Sequence, residues 1–189
     1  GSGERELEPS DFEFSNLEVE PSEAEPGESV TVSVDVKNTG GVEGSHELEL
    51  EIDGSIEKTR EITLEAENET TESFSISKEE SKSHSVEIEN LSESFEVMKP
   101  AEFELSSLEV NPSEVGSGGD VEISVDVKNN GEATGSKEVS FKINGSVEET
   151  KEVSLEGGEE ETISLTTSRE AKQDYSVKVN ELGGSFSVV

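Results

Sequence analysis

Shifted by 91 residues, the chain matches itself without a gap. Phe12-Glu13 falls on Phe103-Glu104, Leu17-Glu18-Val19 on Leu108-Glu109-Val110, and Pro21-Ser22-Glu23 on Pro112-Ser113-Glu114. Residues 33–38 (Ser-Val-Asp-Val-Lys-Asn) are identical to residues 124–129, and Gly40, Gly44, Gly54, Phe95 and Val97 recur as Gly131, Gly135, Gly145, Phe186 and Val188. Of the 86 positions from 12 to 97, 40 are identical to their counterparts. A period of about 90 residues lets each copy bury its own core, so the repeat predicts two tandem domains and not a solenoid.

Within each copy the apolar residues alternate, as in Val30-Thr31-Val32-Ser33-Val34-Asp35-Val36. Period two is the signature of a strand with one buried face. In the first copy the pattern gives seven short strands, near 13–20, 29–38, 46–53, 56–64, 70–77, 83–90 and 93–98. Pro26-Gly27, Asn38-Thr39-Gly40-Gly41 and Glu156-Gly157-Gly158 read as turns between them. Asp53-Gly54 and Asn144-Gly145 are hairpin signals, because both residue types accept the positive φ of a type I′ turn. The expected fold is all-β: two tandem immunoglobulin-like seven-stranded antiparallel β-sandwiches. The expected inward face of the first is Leu17, Val19, Val30, Val32, Val34, Val36, Leu48, Leu50, Ile52, Ile56, Ile62, Leu64, Phe74, Ile76, Val86, Ile88, Leu91, Phe95 and Val97. The domain boundaries follow: 1–11 a tag and leader, 12–98 the first domain, 99–102 a short linker, 103–189 the second. Gly1-Ser2-Gly3 reads as a cloning remnant, which suits a monomeric fragment excised from a longer protein. Pro100 stiffens the linker, so a rod-like end-to-end pair with limited bending is expected; scattering from a compact side-by-side particle would contradict it.

Charge constrains the setting. Asp and Glu number 47 against 14 Lys and Arg, a formal net charge of −33, and only 28% of residues are hydrophobic. That composition alone resembles a disordered acidic tail, but such tails have neither the alternation nor the repeat. The carboxylates are therefore expected on the outer faces of an ordered fold, where they repel one another at low salt. At molar salt the Debye length shrinks to about 3 Å and the repulsion is largely screened. A salt-loving organism is the expected source. No basic patch is present, which argues against nucleic acid and anionic membrane surfaces as partners. No stretch is apolar enough to insert in a bilayer, and the absence of cysteine leaves the redox compartment unread.

Several motifs together resemble the CARDB family, the cell-adhesion-related domains of bacteria and archaea. They are Leu-Glu-Val-x-Pro-Ser at 17–22 and 108–113, Pro26-Gly27-Glu28-Ser29-Val30, Val-Asp-Val-Lys-Asn-x-Gly at 34–40 and 125–131, Gly44, the Asp53-Gly54 turn, and a closing Phe-x-Val at 95–97 and 186–188. The NEW3 domains attached to glycosidases look similar and stay open as an alternative. Ser117-Gly118-Gly119 stands where the family has Pro-Gly-Glu, so that loop is expected to differ. The resemblance implies an Ig-like sandwich in large, multi-domain surface or secreted proteins, often in tandem arrays; together with the charge, a halophilic archaeon is the expected source. It implies no catalytic residues.

The residues themselves offer little chemistry. His46 and His84 are the only histidines; their counterparts are Lys137 and Tyr175, and Tyr175 sits where a tyrosine corner would place its hydroxyl on nearby backbone. Structural roles are expected for all of these, and no catalytic residue and no cofactor is assigned. The acidic clusters Glu79-Glu80 and 159–161 fall in expected turns and lack the spacing of a calcium loop, so no metal ligands are assigned. Asn68, Asn90 and Asn144 each begin an Asn-x-Ser/Thr sequon and are candidate glycan acceptors. The acid-rich strands look like edges protected against pairing. The expected role is a non-catalytic spacer, stalk or adhesion segment of an extracellular or cell-surface protein, with other domains of that protein or envelope components as partners. The alternatives are an accessory pair beside a secreted protease or glycosidase, and a specific protein- or glycan-binding module.

Overall fold

The structure is a computed structural model, and it describes residues 6–189. Gly1-Ser2-Gly3, expected to be a cloning remnant, lies outside the described residues. The chain divides into two units between Met98 and Lys99. No helix occurs among the described residues.

Unit 1 contains β1 (Phe12–Glu20), β2 (Glu23–Ala24), β3 (Val30–Asn38), β4 (Gly44–Ile52), β5 (Ser55–Leu64), β6 (Glu69–Ile76), β7 (Ser83–Ile88) and β8 (Leu91–Val97). They form a three-stranded sheet, β1-β3-β6, and a five-stranded sheet, β2-β8-β7-β4-β5. Unit 2 repeats this with β9 (Phe103–Asn111), β10 (Glu114–Val115), β11 (Asp120–Asn129), β12 (Gly135–Ile143), β13 (Ser146–Leu155), β14 (Glu160–Ser168), β15 (Asp174–Val179) and β16 (Leu182–Val188). The expected sandwich class is observed, with one strand more per unit than the sequence suggests. The extra strands β2 and β10 are two residues long, too short to show any alternation, and pair parallel with β8 and β16. Each unit is therefore antiparallel except for that one pair.

Alternation explains the cores. Val30, Val32, Val34 and Val36 have no solvent exposure, nor do Val121, Ile123, Val125 and Val127. The pattern misleads in two places. Phe12 and Phe14 pack against the core although their parity opposes that of Leu17 and Val19. A bulge reconciles them: the β1–β3 register shifts between Ser15 and Glu18, and Asn16 takes φ 52°. The extra residue flips the parity and keeps all four side chains on one face. Ser107, φ 55°, does the same for Phe103, Leu105, Leu108 and Val110.

The second is Ile56, expected inside but 55% exposed, as its counterpart Val147 is at 57%. A five-stranded sheet overhangs a three-stranded one, and β5 is its edge. On β5 only Ile62 and Leu64 reach the core. A bulge explains Ile56: the β4–β5 register shifts between Lys58 and Ile56, which pairs Ile56 with Glu51 on the outer face, while Lys58 and Arg60 share the inner face of Leu50 and Leu48. Lys58 Nζ donates to Ser75 O at 2.7 Å and Arg60 Nη1 to Ser73 O at 2.9 Å. Arg60 also lies 4.3 Å from the Phe74 ring centroid and 2.9 Å from Glu72 Oε2. Long cationic side chains thus close the open side of the sandwich, stems on apolar surface and heads in water.

The connections follow their chemistry. Asp53-Gly54 and Asn144-Gly145 both have two positive φ angles, as a type I′ hairpin requires. The 117–119 loop, expected to differ, matches its counterpart: Gly118 has φ 77° against 82° at Gly27, and each donates to a carbonyl after the β6 or β14 strand, Lys78 O or Arg169 O. Glycine at the positive-φ position suffices for that turn, whatever precedes it. The described part of the leader and the linker are themselves built into the units. Gly41 N donates to Glu8 O, and Glu132 N and Ala133 N donate to Lys99 O.

Candidate functional site

Among the described residues the buried polar ones are few: Asn38, His84, Asn129 and Thr167, with no carboxylate among them. Each is a point where the fold placed hydrogen-bonding capacity inside, so each is a candidate for function. Asn38 closes β3 with 0% exposure and all its capacity in use. Its Oδ1 accepts from Asp11 N and Gly40 N; its Nδ2 donates to Val42 O and Leu64 O. Asn129 repeats the set with Glu102 N, Gly131 N, Ala133 O and Leu155 O. A Cβ on Gly40 or Gly131 would collide with the carbonyl of Pro9 or Pro100, which is why glycine follows two residues later. The Asn-x-Gly motif is therefore a knot tying the entering segment, one strand end and one loop. The sequence reading took it for a turn alone.

His84 is the most enclosed titratable side chain, 1% exposed. Its Nδ1 lies 2.7 Å from Asp53 Oδ2 and its Nε2 2.9 Å from Glu80 O; the ring stacks on Phe95 at 5.2 Å. Asp53 Oδ1 accepts from Ser85 N, and Lys82 Nζ is 3.7 Å from Asp53 Oδ2. Burial works to raise the Asp53 pKa. The His84 and Ser85 hydrogen bonds and the His84 and Lys82 charges outweigh it and hold the carboxyl below its usual range. In unit 2, Tyr175 stacks on Phe186 at 5.0 Å and donates from its hydroxyl to Ala171 O at 2.9 Å, and Asn144 Oδ1 accepts from Ser176 N. The tyrosine-corner expectation for Tyr175 holds, and His84 fills the same structural place.

His46 lies beside Phe12 and Phe14, ring centroids 5.4 and 5.1 Å away, with Nε2 2.6 Å from Glu89 Oε1. Its counterpart Lys137 instead borders an open hollow of about 280 Å³ with Phe103, Leu105 and Leu182. Asp35 accepts from Asn16 Nδ2 and Thr71 Oγ1. The Asn16 bond foremost, then the Thr71 bond, lower its pKa against a smaller effect of burial.

The sequons all fall in connections, and Asn68, Asn90 and Asn144 are all exposed. Asn144 differs in that its Oδ1 is engaged by Ser176. Glu79-Glu80 lies in a connection, whereas Glu160 and Glu161, expected in a turn, begin β14 on exposed positions. Among the described residues no group of three or more His, Asp or Glu side chains could hold a metal ion. Among the described residues no helix is long and apolar enough to cross a membrane.

Two all-β sandwiches whose interior polar groups are bonded within their own units make this a tandem β-sandwich module. The CARDB family model matches residues 9–94 and 101–181. The chain belongs to the CARDB family, in two consecutive copies, and NEW3 is thereby set aside. No curated protein matches it. Among solved structures it is similar to the D0-D1 domain of intimin, with TM-score 0.36 and 13% identity over 93% of this chain and 99% of that one. It is also similar to red sea bream transglutaminase, with TM-score 0.33 and 12% identity over 92% of this chain and 31% of that one. At those scores neither likeness bears on function.

Proposed function

We propose that the chain is a non-catalytic structural and adhesion module, a spacer or stalk segment of an extracellular or cell-surface protein adapted to high salt. The observation that carries this reading is where the buried polar groups go. Asn38, Asn129, His84 and Tyr175 spend their hydrogen bonds on tying loops to strands. Membership of CARDB supports the same reading. A halophilic archaeal surface fits the charge of −33, since among the described residues no carboxylate lies in the buried core. Glycans at Asn68, Asn90 and Asn144 fit their exposure in connections.

The test is replacement within the parent protein. An unrelated tandem sandwich pair of equal length is exchanged for residues 6–189, and surface display and cell attachment are measured in molar salt. A spacer predicts that both survive. Loss of attachment with display intact would overturn the spacer reading in favour of a specific receptor surface. Intact mass of the chain secreted from a glycosylating host, against an Asn68→Gln/Asn90→Gln variant, reads those two sequons; a difference no larger than the two substitutions would remove glycans at Asn68 and Asn90 from the account.

A further inference from the structure

The two units carry one lock in two chemistries. At equivalent positions unit 1 has Asp53 and His84, and unit 2 has Asn144 and Tyr175. Both rings are buried and stacked on the equivalent phenylalanine, and both bond the equivalent carbonyl, Glu80 O or Ala171 O. The tyrosine needs only its one O–H. The histidine is different, because its two ring nitrogens face two acceptors, a carboxylate oxygen at 2.7 Å and a carbonyl oxygen at 2.9 Å. A neutral imidazole has one N–H and one lone pair. Only the doubly protonated ring donates to both; the neutral ring turns a lone pair toward one acceptor.

We propose that unit 1 closes on doubly protonated His84 and loosens as pH rises through imidazole titration, while unit 2, locked by Tyr175, does not. The charged groups around the ring act in opposite senses, the Asp53 carboxylate attracting a protonated ring at 2.7 Å and the Lys82 ammonium, 3.7 Å from that carboxylate, repelling it. Asp53 faces it from the β4–β5 turn, and Lys82, on the loop before β7, pairs with the same carboxylate oxygen. From β8 the ring meets uncharged Phe95, and the neighbouring Glu96 and its β2 partner Glu23 are exposed. Both donations are made only while the ring carries both hydrogens, so the two contacts hold at lower pH and one of them is lost as pH rises. What loosens is what His84 holds, the connection carrying Glu80 and the hairpin turn carrying Asp53.

The test is amide exchange of the full chain in molar salt, read by mass spectrometry on peptides of each unit. From about pH 6 to about pH 9, after correction for intrinsic exchange, protection of residues 77–88 should fall by about tenfold. That of residues 168–179 should stay constant. His46→Lys should keep the effect, which separates His84 from the other histidine of the unit. Asp53→Asn/His84→Tyr should abolish it by installing the unit 2 pair. Should that variant fail to fold, the ring nitrogen NMR spectrum of the unsubstituted chain decides. At about pH 6 both His84 nitrogens should carry a hydrogen. A singly protonated ring there, equal pH dependence in both units, or pH dependence surviving the double replacement would overturn the proposal.

Discussion

Asn38→Ala removes the acceptor of Asp11 N and Gly40 N and the donor to Val42 O and Leu64 O. Buried polar groups left without partners cost about 1–3 kcal/mol each, so unit 1 should lose about 3 kcal/mol or more in denaturant unfolding. Asn38→Asp should cost at least as much, since a fully enclosed carboxylate cannot donate to either carbonyl. Equal stability of Asn38→Ala and the unsubstituted chain would contradict the knot. Val34→Asp and Val125→Asp, at positions of 0% exposure, should each unfold their own unit, seen as loss of dispersed amide signals from that unit alone. Asp53 adds a pH limit on the acid side. Its folded pKa is lowered, so its contribution is present above the usual carboxylate range and is lost as pH falls through the folded value. Thermal unfolding of unit 1 should weaken more steeply in acid than that of Asp53→Asn. At this scale the valine stripe was legible, because alternation states which face is inward. Asn38 was not, because Asn-x-Gly is also ordinary turn chemistry and only the fold shows the side chain pointing in.

Among the elements, the edges separate what pattern can and cannot show. In unit 2, Lys151 Nζ on β13 donates to Ser164 O on the free side of β14. Residues 162–168 of that strand carry no charge, in a chain with 47 carboxylates. An uncharged, unpaired strand edge is a template for another chain. Lys151→Glu should therefore increase self-association in molar salt, measured by sedimentation, while the unsubstituted chain stays monomeric; no change would mean the lysine is not what guards the edge. The sequence suggested edges protected by acid, whereas the groups that cover the edge carbonyls are Lys58, Arg60 and Lys151. Period-two reading tells which residues share a face. It does not register a bulge, so it puts Ile56 inside and leaves Phe12 and Phe14 outside.

For the whole chain, the repeat and the charge were both visible at the outset, and the two-unit all-β fold followed from the first of them. The described ion pairs are few: three between Lys or Arg and Glu, one from Lys82 to Asp53, and two involving histidine. They leave most carboxylates facing one another across solvent, and exposed pairs of this kind contribute only about 0–1 kcal/mol each. Counterions must supply the remaining screening. Between about 0.1 M and about 1 M salt the Debye length falls from about 10 Å to about 3 Å. The decisive measurement is thermal unfolding by circular dichroism across that range of potassium chloride. The account predicts a β-sheet spectrum in strong brine and a melting temperature that climbs steeply with salt. A coil or helical spectrum in brine, or a melting temperature indifferent to salt, would contradict it.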